Sequence, residues 1–454
     1  MPTLTLPLRR AATSVVSVVR SAATFAEFSR DQLGFLDSLG EKQGDVARFE
    51  MMGTRFWLLR HPRDVEALLV EHARSVGRDD YVQALQRALG QGLLTSDGEL
   101  WRRQRRLMAQ AFTPKRIATY AEAMVRVAGA SLERWRDGAS LNLHREMGRI
   151  AAEVVSEVLF GTSVSADEVT MVGDALEVLN EFFSHSPEAV FRLPKWLPTP
   201  RNHRMNTAVE AIDRLVFRIV RERRSSTSRD DLLGTLLAAQ DDDGTRMTDA
   251  QLRDEVVTLF LAGHETTALA LTHAFYFLSR HPDVERRLHA ELAEVLAGRA
   301  PTSNDVRSLP FTECVLKEAM RLFPPAWTMG RAVTSPIELG RHRFEKGDQV
   351  LVSQWVLHRD ARWFPEPERF DPERFNSERV KALPRYAYLP FGAGPRVCIG
   401  NHFAMMEAML LLATIAQGWR IEVASDEQLE FAPSVTLRPK GTGLRATLRA
   451  SAAR

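Results

Sequence analysis

The stretch from Asp249 to Leu278 constrains the fold more than any other part of the chain. It is the longest helical candidate, and it is apolar on both sides rather than along one stripe. A helix of that kind belongs in the middle of a large core, with neighbours packed around it. Its centre reads Phe260-Leu261-Ala262-Gly263-His264-Glu265-Thr266-Thr267, where glycine and two threonines work against helix propensity. The Thr266 hydroxyl can donate to the carbonyl four residues back, that of Ala262, and bend the axis. The sequence therefore predicts a buried central helix with a groove opened at its middle. By residue type alone, Glu265 fits a satisfied buried carboxylate among β-branched core neighbours equally well. His264 is expected to be partly buried or solvent-facing, without an assigned role.

The rest of the chain supplies a frame for such a helix. Residues 45–60 alternate around Gly53 and read as a β-hairpin. From residue 62 to 323 the pattern is mostly helical, broken by the polar run Arg221 to Asp231, expected as an exposed loop. After Pro324 come β-like runs such as Gln349 to Ser353, then a long irregular segment from Asp360 to Pro395. A last helix follows over Asn401 to Ala416, and residues 419–450 read as short strands. The expected fold class is mainly α with a smaller β portion, as one domain over residues 1–454. Residues 1–25 are expected to be irregular or weakly helical.

Composition excludes several functions. With 44% apolar and 26% charged residues, the chain has material for a large globular core. A net charge of +2, with no basic run interleaved with aromatics, leaves no nucleic-acid footprint. Arg9 and Arg10 precede an apolar run, Ala11 to Val19, that Arg20 interrupts before it could span a bilayer. A surface-seeking helix is the alternative there, but no integral membrane anchor is expected, and the location expected is cytoplasmic. Two cysteines cannot make a disulfide framework and fit a reducing compartment. Cys314, on a predicted helix, reads as a small core residue.

Cys398 is different. It lies in Phe391-Gly392-Ala393-Gly394-Pro395-Arg396-Val397-Cys398-Ile399-Gly400, a glycine-rich loop that opens onto the last helix. A thiolate there would sit at the positive end of a helix dipole, beside Arg396, where backbone can approach a ligand closely. Those features suit an anionic sulfur on a metal, and a buried structural cysteine is the competing reading.

The full pattern Phe-x-x-Gly-x-Arg-x-Cys-x-Gly, with Ala404 four residues on, resembles the haem-binding loop of the cytochrome P450 superfamily at Phe391, Gly394, Arg396, Cys398, Gly400 and Ala404. The resemblance runs from about residue 45 to the C-terminus. It implies the P450 fold, with haem b between the central helix and the cysteine-loop helix and Cys398 as its axial metal ligand. It implies further cofactor contacts from Phe391, from the pair Trp101 and Arg105, from Arg396 and from Arg331. Glu265 and Thr266 match the family's acid–alcohol pair, which implies that they deliver protons for cleavage of the O–O bond. Glu318 and Arg321, with Arg374, match a buried charge triad that holds the cysteine-loop region.

The activity implied is monooxygenation: one atom of O2 enters an apolar small molecule (terpenoid, fatty acid, steroid or polyketide-like) and the other leaves as water. Substrate contacts are expected from Phe182, Phe183, Phe191, Phe260, Leu261, Trp327, Met329 and Leu437, each of which ordinary core packing would also explain. Electrons derived from NAD(P)H are expected from a ferredoxin or flavodoxin with its reductase. Arg102, Arg103, Arg106, Lys115 and Arg116 form either the docking face for it or a solvated helix face. A monomer is expected. A peroxide-driven hydroxylase of the same fold and a non-catalytic haem-binding or gas-sensing protein are the alternatives; the complete Glu265–Thr266 pair argues against both.

Overall fold

A computed structural model describes residues 21–162, 164–184, 197–225, 231–238, 246–424, 428–440 and 444–450. The predicted central helix spans Asp249–Arg280 and starts at a capping box in which Thr248 and Gln251 satisfy each other's backbone N–H groups. Helices Leu143–Phe160, Pro200–Ser225, Pro310–Leu322 and Asn401–Gly418 pack around it. Leu252, Val256, Ala268, Leu271, Ala274 and Leu278 are buried on its different faces, which is why the sequence lacks a polar stripe. At its middle, Thr266 Oγ1 donates to the Ala262 carbonyl at 2.7 Å, as expected.

The β portion lies to one side. The predicted hairpin forms from Val46–Met51 and Thr54–Leu59, with Met52 and Gly53 both at positive φ in a two-residue turn. It is the edge of a five-stranded sheet that continues through Gln349–Val352 and Met329–Val333 to Val76–Gly77. Thr54–Leu59 pairs parallel with Gln349–Val352, so the sheet joins segments far apart in sequence. Strands Phe431–Pro433 and Leu437–Pro439 form a separate antiparallel pair whose turn reaches the site.

Two local expectations change. The polar run Arg221 to Asp231 is not simply an exposed loop, because the helix Pro200–Ser225 extends into it. Arg223 is buried there, and its Nε donates to Asp231 Oδ1 at 2.9 Å; residues 226–230 lie outside the described set. The segment Asp360 to Pro395 is also less irregular than expected, with a 3-10 turn at Pro372–Phe375 and a helix at Ser377–Ala382. Short elements capped by Asp371 and Asn376 leave little apolar periodicity to read.

The charge triad fixes this segment. Glu318 and Arg321 are both fully buried and bridged at 2.7 Å, and Arg374 Nε reaches Glu318 at 3.3 Å. Arg321 also donates to the His358 carbonyl at 2.9 Å, and His358 Nε2 accepts from Leu389 N at 3.0 Å. Leu389 lies two residues before Phe391, so the triad is tied directly to the cysteine loop. Among the described residues, no helix is long and apolar enough to cross a membrane; the N-terminal run Ala11 to Val19 lies outside them.

Candidate active site

A cavity of about 680 Å³ lies between the middle of the central helix and the cysteine loop. Its floor is the loop. Cys398 N donates to the Phe391 carbonyl at 2.9 Å, closing a compact turn, and Gly394 sits at positive φ. A Cβ on Gly394 would stand 2.0 Å from the Leu69 carbonyl oxygen, so only glycine lets the loop seat against residues 67–71. Cys398 is exposed, onto the cavity that it lines, although its sulfur is screened from bulk water by the surrounding protein. Burial raises its thiol pKa, while the Gly400 N–H and the Arg105 guanidinium pull the other way. Phe391 is half-buried and also lines the floor.

Arginines crowd one end. Trp101 and Arg105, on the helix Gly98–Ala109, both line the cavity, and Arg105 Nη1 donates to the Val397 carbonyl at 2.7 Å. Arg396 stacks over the Trp101 ring at 4.2 Å and pairs with Asp97. Arg331, expected from the resemblance as a cofactor contact, is buried in the strand Met329–Val333 and lines the same cavity. No sequence motif marks Arg78, which is buried beside them with its Nε unpartnered. Burial and the neighbouring arginines lower Arg78 to about 9 and Arg331 to about 10.

Among the described groups acting on them, Arg78, Arg331 and Arg396 face the carboxylates of Asp79 and Asp97, and Arg105 faces the Cys398 thiol, whose pKa burial raises. Four guanidinium groups thus meet two carboxylates, and two positive charges are in surplus. Buried cations without counter-charges are unfavourable. A flat dianion with two carboxylates would relieve both charges and satisfy Arg78 Nε. Haem would fit that requirement, and Cys398 lines the same cavity.

The opposite wall is the central helix. Leu261, Ala262, Gly263, Glu265, Thr266 and Thr267 line the cavity. Glu265 is not a free acid. Its Oε2 accepts from Arg438 Nη2 at 2.8 Å and its Oε1 from Arg438 Nε at 2.5 Å and Thr436 Oγ1 at 3.2 Å. Burial alone would raise this carboxyl; the Arg438 charge and hydrogen bonds more than reverse that and hold it at about 2. His264 is buried rather than partly exposed, with Nδ1 against the Phe260 carbonyl at 3.0 Å. A second acid, which the sequence pattern did not flag, is Glu407 on the helix Asn401–Gly418. It lines the cavity, accepts from Thr267 Oγ1 at 2.9 Å, leaves Oε1 unpartnered, and is raised by burial to about 8.

The remaining wall is apolar. Of the expected substrate contacts, Phe183, Leu261, Trp327 and Met329 line the cavity. Phe182, Phe260 and Leu437 do not: Phe182 lies between Arg87 and Arg201, Phe260 stacks on Phe160, and Leu437 is fully buried in the core around Phe35 and Phe49. Phe191 falls outside the described residues. Phe28, Phe49, Met52 and Phe56 extend the apolar lining toward the hairpin.

Comparison with known proteins agrees with this geometry. The family model "Cytochrome P450" matches residues 18–445. The chain is 40% identical over 414 residues to a cyclooctatin synthase of Streptomyces melanosporofaciens, covering 90% of each. It is 36% identical to the cyclooctat-9-en-7-ol 5-monooxygenase of the same organism, covering 86% of this chain and 85% of that one. The solved structure of a retinoic acid-bound cyanobacterial CYP120A1 superposes with a TM-score of 0.82 at 25% identity, covering 92% of this chain and 94% of that one. A cysteine loop facing the middle of the central helix across a cavity with surplus positive charge, together with these likenesses, places the chain in the cytochrome P450 family, as a haem-dependent monooxygenase of an apolar small molecule.

Proposed function

We propose that the protein hydroxylates or otherwise oxygenates a terpenoid. The observation that carries this reading is the apolar part of the lining, built from Phe, Leu, Met and Trp side chains of five separate segments and suited to a bulky molecule of low polarity. The names of its relatives, a cyclooctatin synthase and a cyclooctat-9-en-7-ol monooxygenase, support the same substrate chemistry.

Haem, when bound, supplies the iron chemistry that splits dioxygen. The chain's own residues do the rest. Cys398 would supply the thiolate ligand for the haem iron, and Phe391 lies beside it on the floor. Arg105, Arg331 and Arg396, with Arg78 and the Trp101 indole, would hold the two haem propionates. The apolar wall excludes water and positions the substrate. Thr266 Oγ1, which donates to the Ala262 carbonyl, presents a hydroxyl at the middle of the helix, and Glu265 one residue before it is the source of protons. The electrons derive from NAD(P)H through a ferredoxin or flavodoxin and its reductase, which dock near the exposed Arg102 and Arg106. The protein acts as a cytoplasmic, single-domain monomer.

Two measurements test this. Reduced protein with carbon monoxide should show the strongly red-shifted band of thiolate ligation. A panel of sesquiterpenes and diterpenes should contain members that shift ferric protein from low to high spin and are oxygenated with a surrogate reductase and O2. A panel that gives neither shift nor product, beside fatty acids or steroids that give both, would refute the terpenoid assignment.

A further inference from the structure

Glu265 must carry a proton to serve the role proposed above, yet its surroundings hold it ionised. The grip comes from one small element. Arg438 lies in the strand Leu437–Pro439, and Thr436 in the turn that precedes it. That same turn, Ser434-Val435-Thr436, lines the substrate cavity. Among the described residues, Val435 is one of the few exposed large apolar side chains, and it lies on the cavity wall. Ser434 ties the turn to two other lining residues: its Oγ donates to the Asn180 carbonyl at 3.1 Å, and its own carbonyl accepts from Trp327 Nε1 at 2.9 Å. A molecule filling the apolar cavity thus presses on the element that grips the acid.

The other groups facing this pair leave Arg438 in control. His144, on the helix Leu143–Phe160, and His264, on the central helix, both act on Glu265, and burial lowers both, His144 to about 4. Near neutral pH they are therefore uncharged. Glu177, on the helix Ala166–Ser184, faces Arg438 from the far side. With Arg438 withdrawn, burial of Glu265 is left without a counter-charge and favours the neutral acid.

We propose that Arg438 is a positioning residue that couples occupancy of the substrate cavity to the protonation of Glu265. A bound terpenoid displaces the Ser434–Thr436 turn, opens the Arg438–Glu265 pair, and frees the carboxyl to take up the proton it later delivers. Without substrate the pair stays closed, and the acid cannot supply protons. This inference rests on the assignment of Glu265 as proton source.

Infrared difference spectroscopy on full-length holoprotein tests it, with Glu265→Gln identifying the bands. The probe is the diterpene of the screen above that gives the largest spin-state shift. At saturation it should convert the Glu265 carboxylate signal to a carboxylic acid signal. Val435→Ala, measured at its own saturating concentration of the same diterpene, should lose that conversion. In ligand-free Arg438→Met the carboxyl midpoint should move from about 2 to about 7 or above, and Arg438→Lys should restore ligand dependence. Arg438→Gln replaces the Met variant if the latter does not fold. A carboxylate band that persists at full spin shift, or a Glu265 still ionised at neutral pH in Arg438→Met, overturns the coupling while leaving the monooxygenase reading intact. Absence of any terpenoid spin shift counts against the substrate assignment instead, and the ligand-free arm still decides the coupling.

Discussion

Glu318→Ala should cost the protein both its stability margin and its cofactor. Glu318 accepts four hydrogen bonds: from Arg321 Nε at 2.7 Å and Nη2 at 2.9 Å, from Asp371 N at 2.9 Å, and from Arg374 Nε at 3.3 Å. Truncation leaves the Arg321 guanidinium fully buried with only carbonyl partners, those of His358 and Arg369. Stranding one member of a buried ion pair costs about 3–5 kcal/mol. The orphaned Asp371 N–H adds about 1–2 kcal/mol. The sum, about 4–7 kcal/mol, is comparable to the 5–15 kcal/mol by which typical domains are stable. The damage is directed, because Arg321 holds the His358 carbonyl and His358 holds Leu389 at the entrance to the cysteine loop. Haem content should therefore fall before helical structure does. Glu318→Gln keeps an acceptor oxygen for Asp371 N but loses the charge and sets an amide donor against Arg321 Nε, so its cost should be smaller than that of Ala but still about 2–4 kcal/mol. Urea unfolding followed by circular dichroism, beside the haem-to-protein ratio of each variant, measures both effects. A Glu318→Ala protein within about 1 kcal/mol of wild type and fully loaded with haem would refute the reasoning.

Two further outcomes follow from the cavity. Cys398→His should retain part of the haem and lose the red-shifted carbon monoxide band, and survival of that band would overturn the ligand assignment. Glu407 is raised to about 8 by burial, above its unfolded value. Its contribution to stability is therefore complete below about pH 4.5 and declines as pH rises through that window toward 8. Glu407→Gln should remove the decline and gain about 3 kcal/mol relative to wild type between pH 4.5 and 7, read from urea midpoints at both pH values. Parallel pH profiles for the two proteins would show that the carboxyl is ionised in the folded state.

The sequence made the central helix, the hairpin and the cysteine loop legible because each obeys a local rule. The helix has length and apolar content, the hairpin has alternation about a glycine, and the loop has fixed spacing around Cys398. The Glu318–Arg321 pair was readable only by its position, since other Glu-x-x-Arg spacings occur in the chain. What the sequence hid depends on contacts between distant segments. Arg78 meets Arg396 and Asp97 only after the sheet joins residues 76–77 to 329–333. Arg438 reaches Glu265 across 173 positions of chain, and no local pattern marks that pairing. Facing direction was the other gap. Phe260 and Leu261 are neighbours on one helix, yet only Leu261 looks into the cavity. For the same reason Glu265 and Glu407, both recognisable as carboxylates, could not be told apart in charge state: one meets a guanidinium and the other only a hydroxyl.

The seating of Gly394 against the Leu69 carbonyl also sets an order in time. Residues 67–71 leave the ribosome early, whereas the loop they receive is made after more than three hundred further residues. Contacts at that separation form late, because most of the chain must already be in place before they can close. The cradle for the cofactor, which also needs residues 78, 97, 105 and 331, is therefore complete only after the cysteine loop has docked. Cofactor loading is a finishing step in the biogenesis of this protein, so a shortage of haem during expression should leave a nearly folded chain waiting for it.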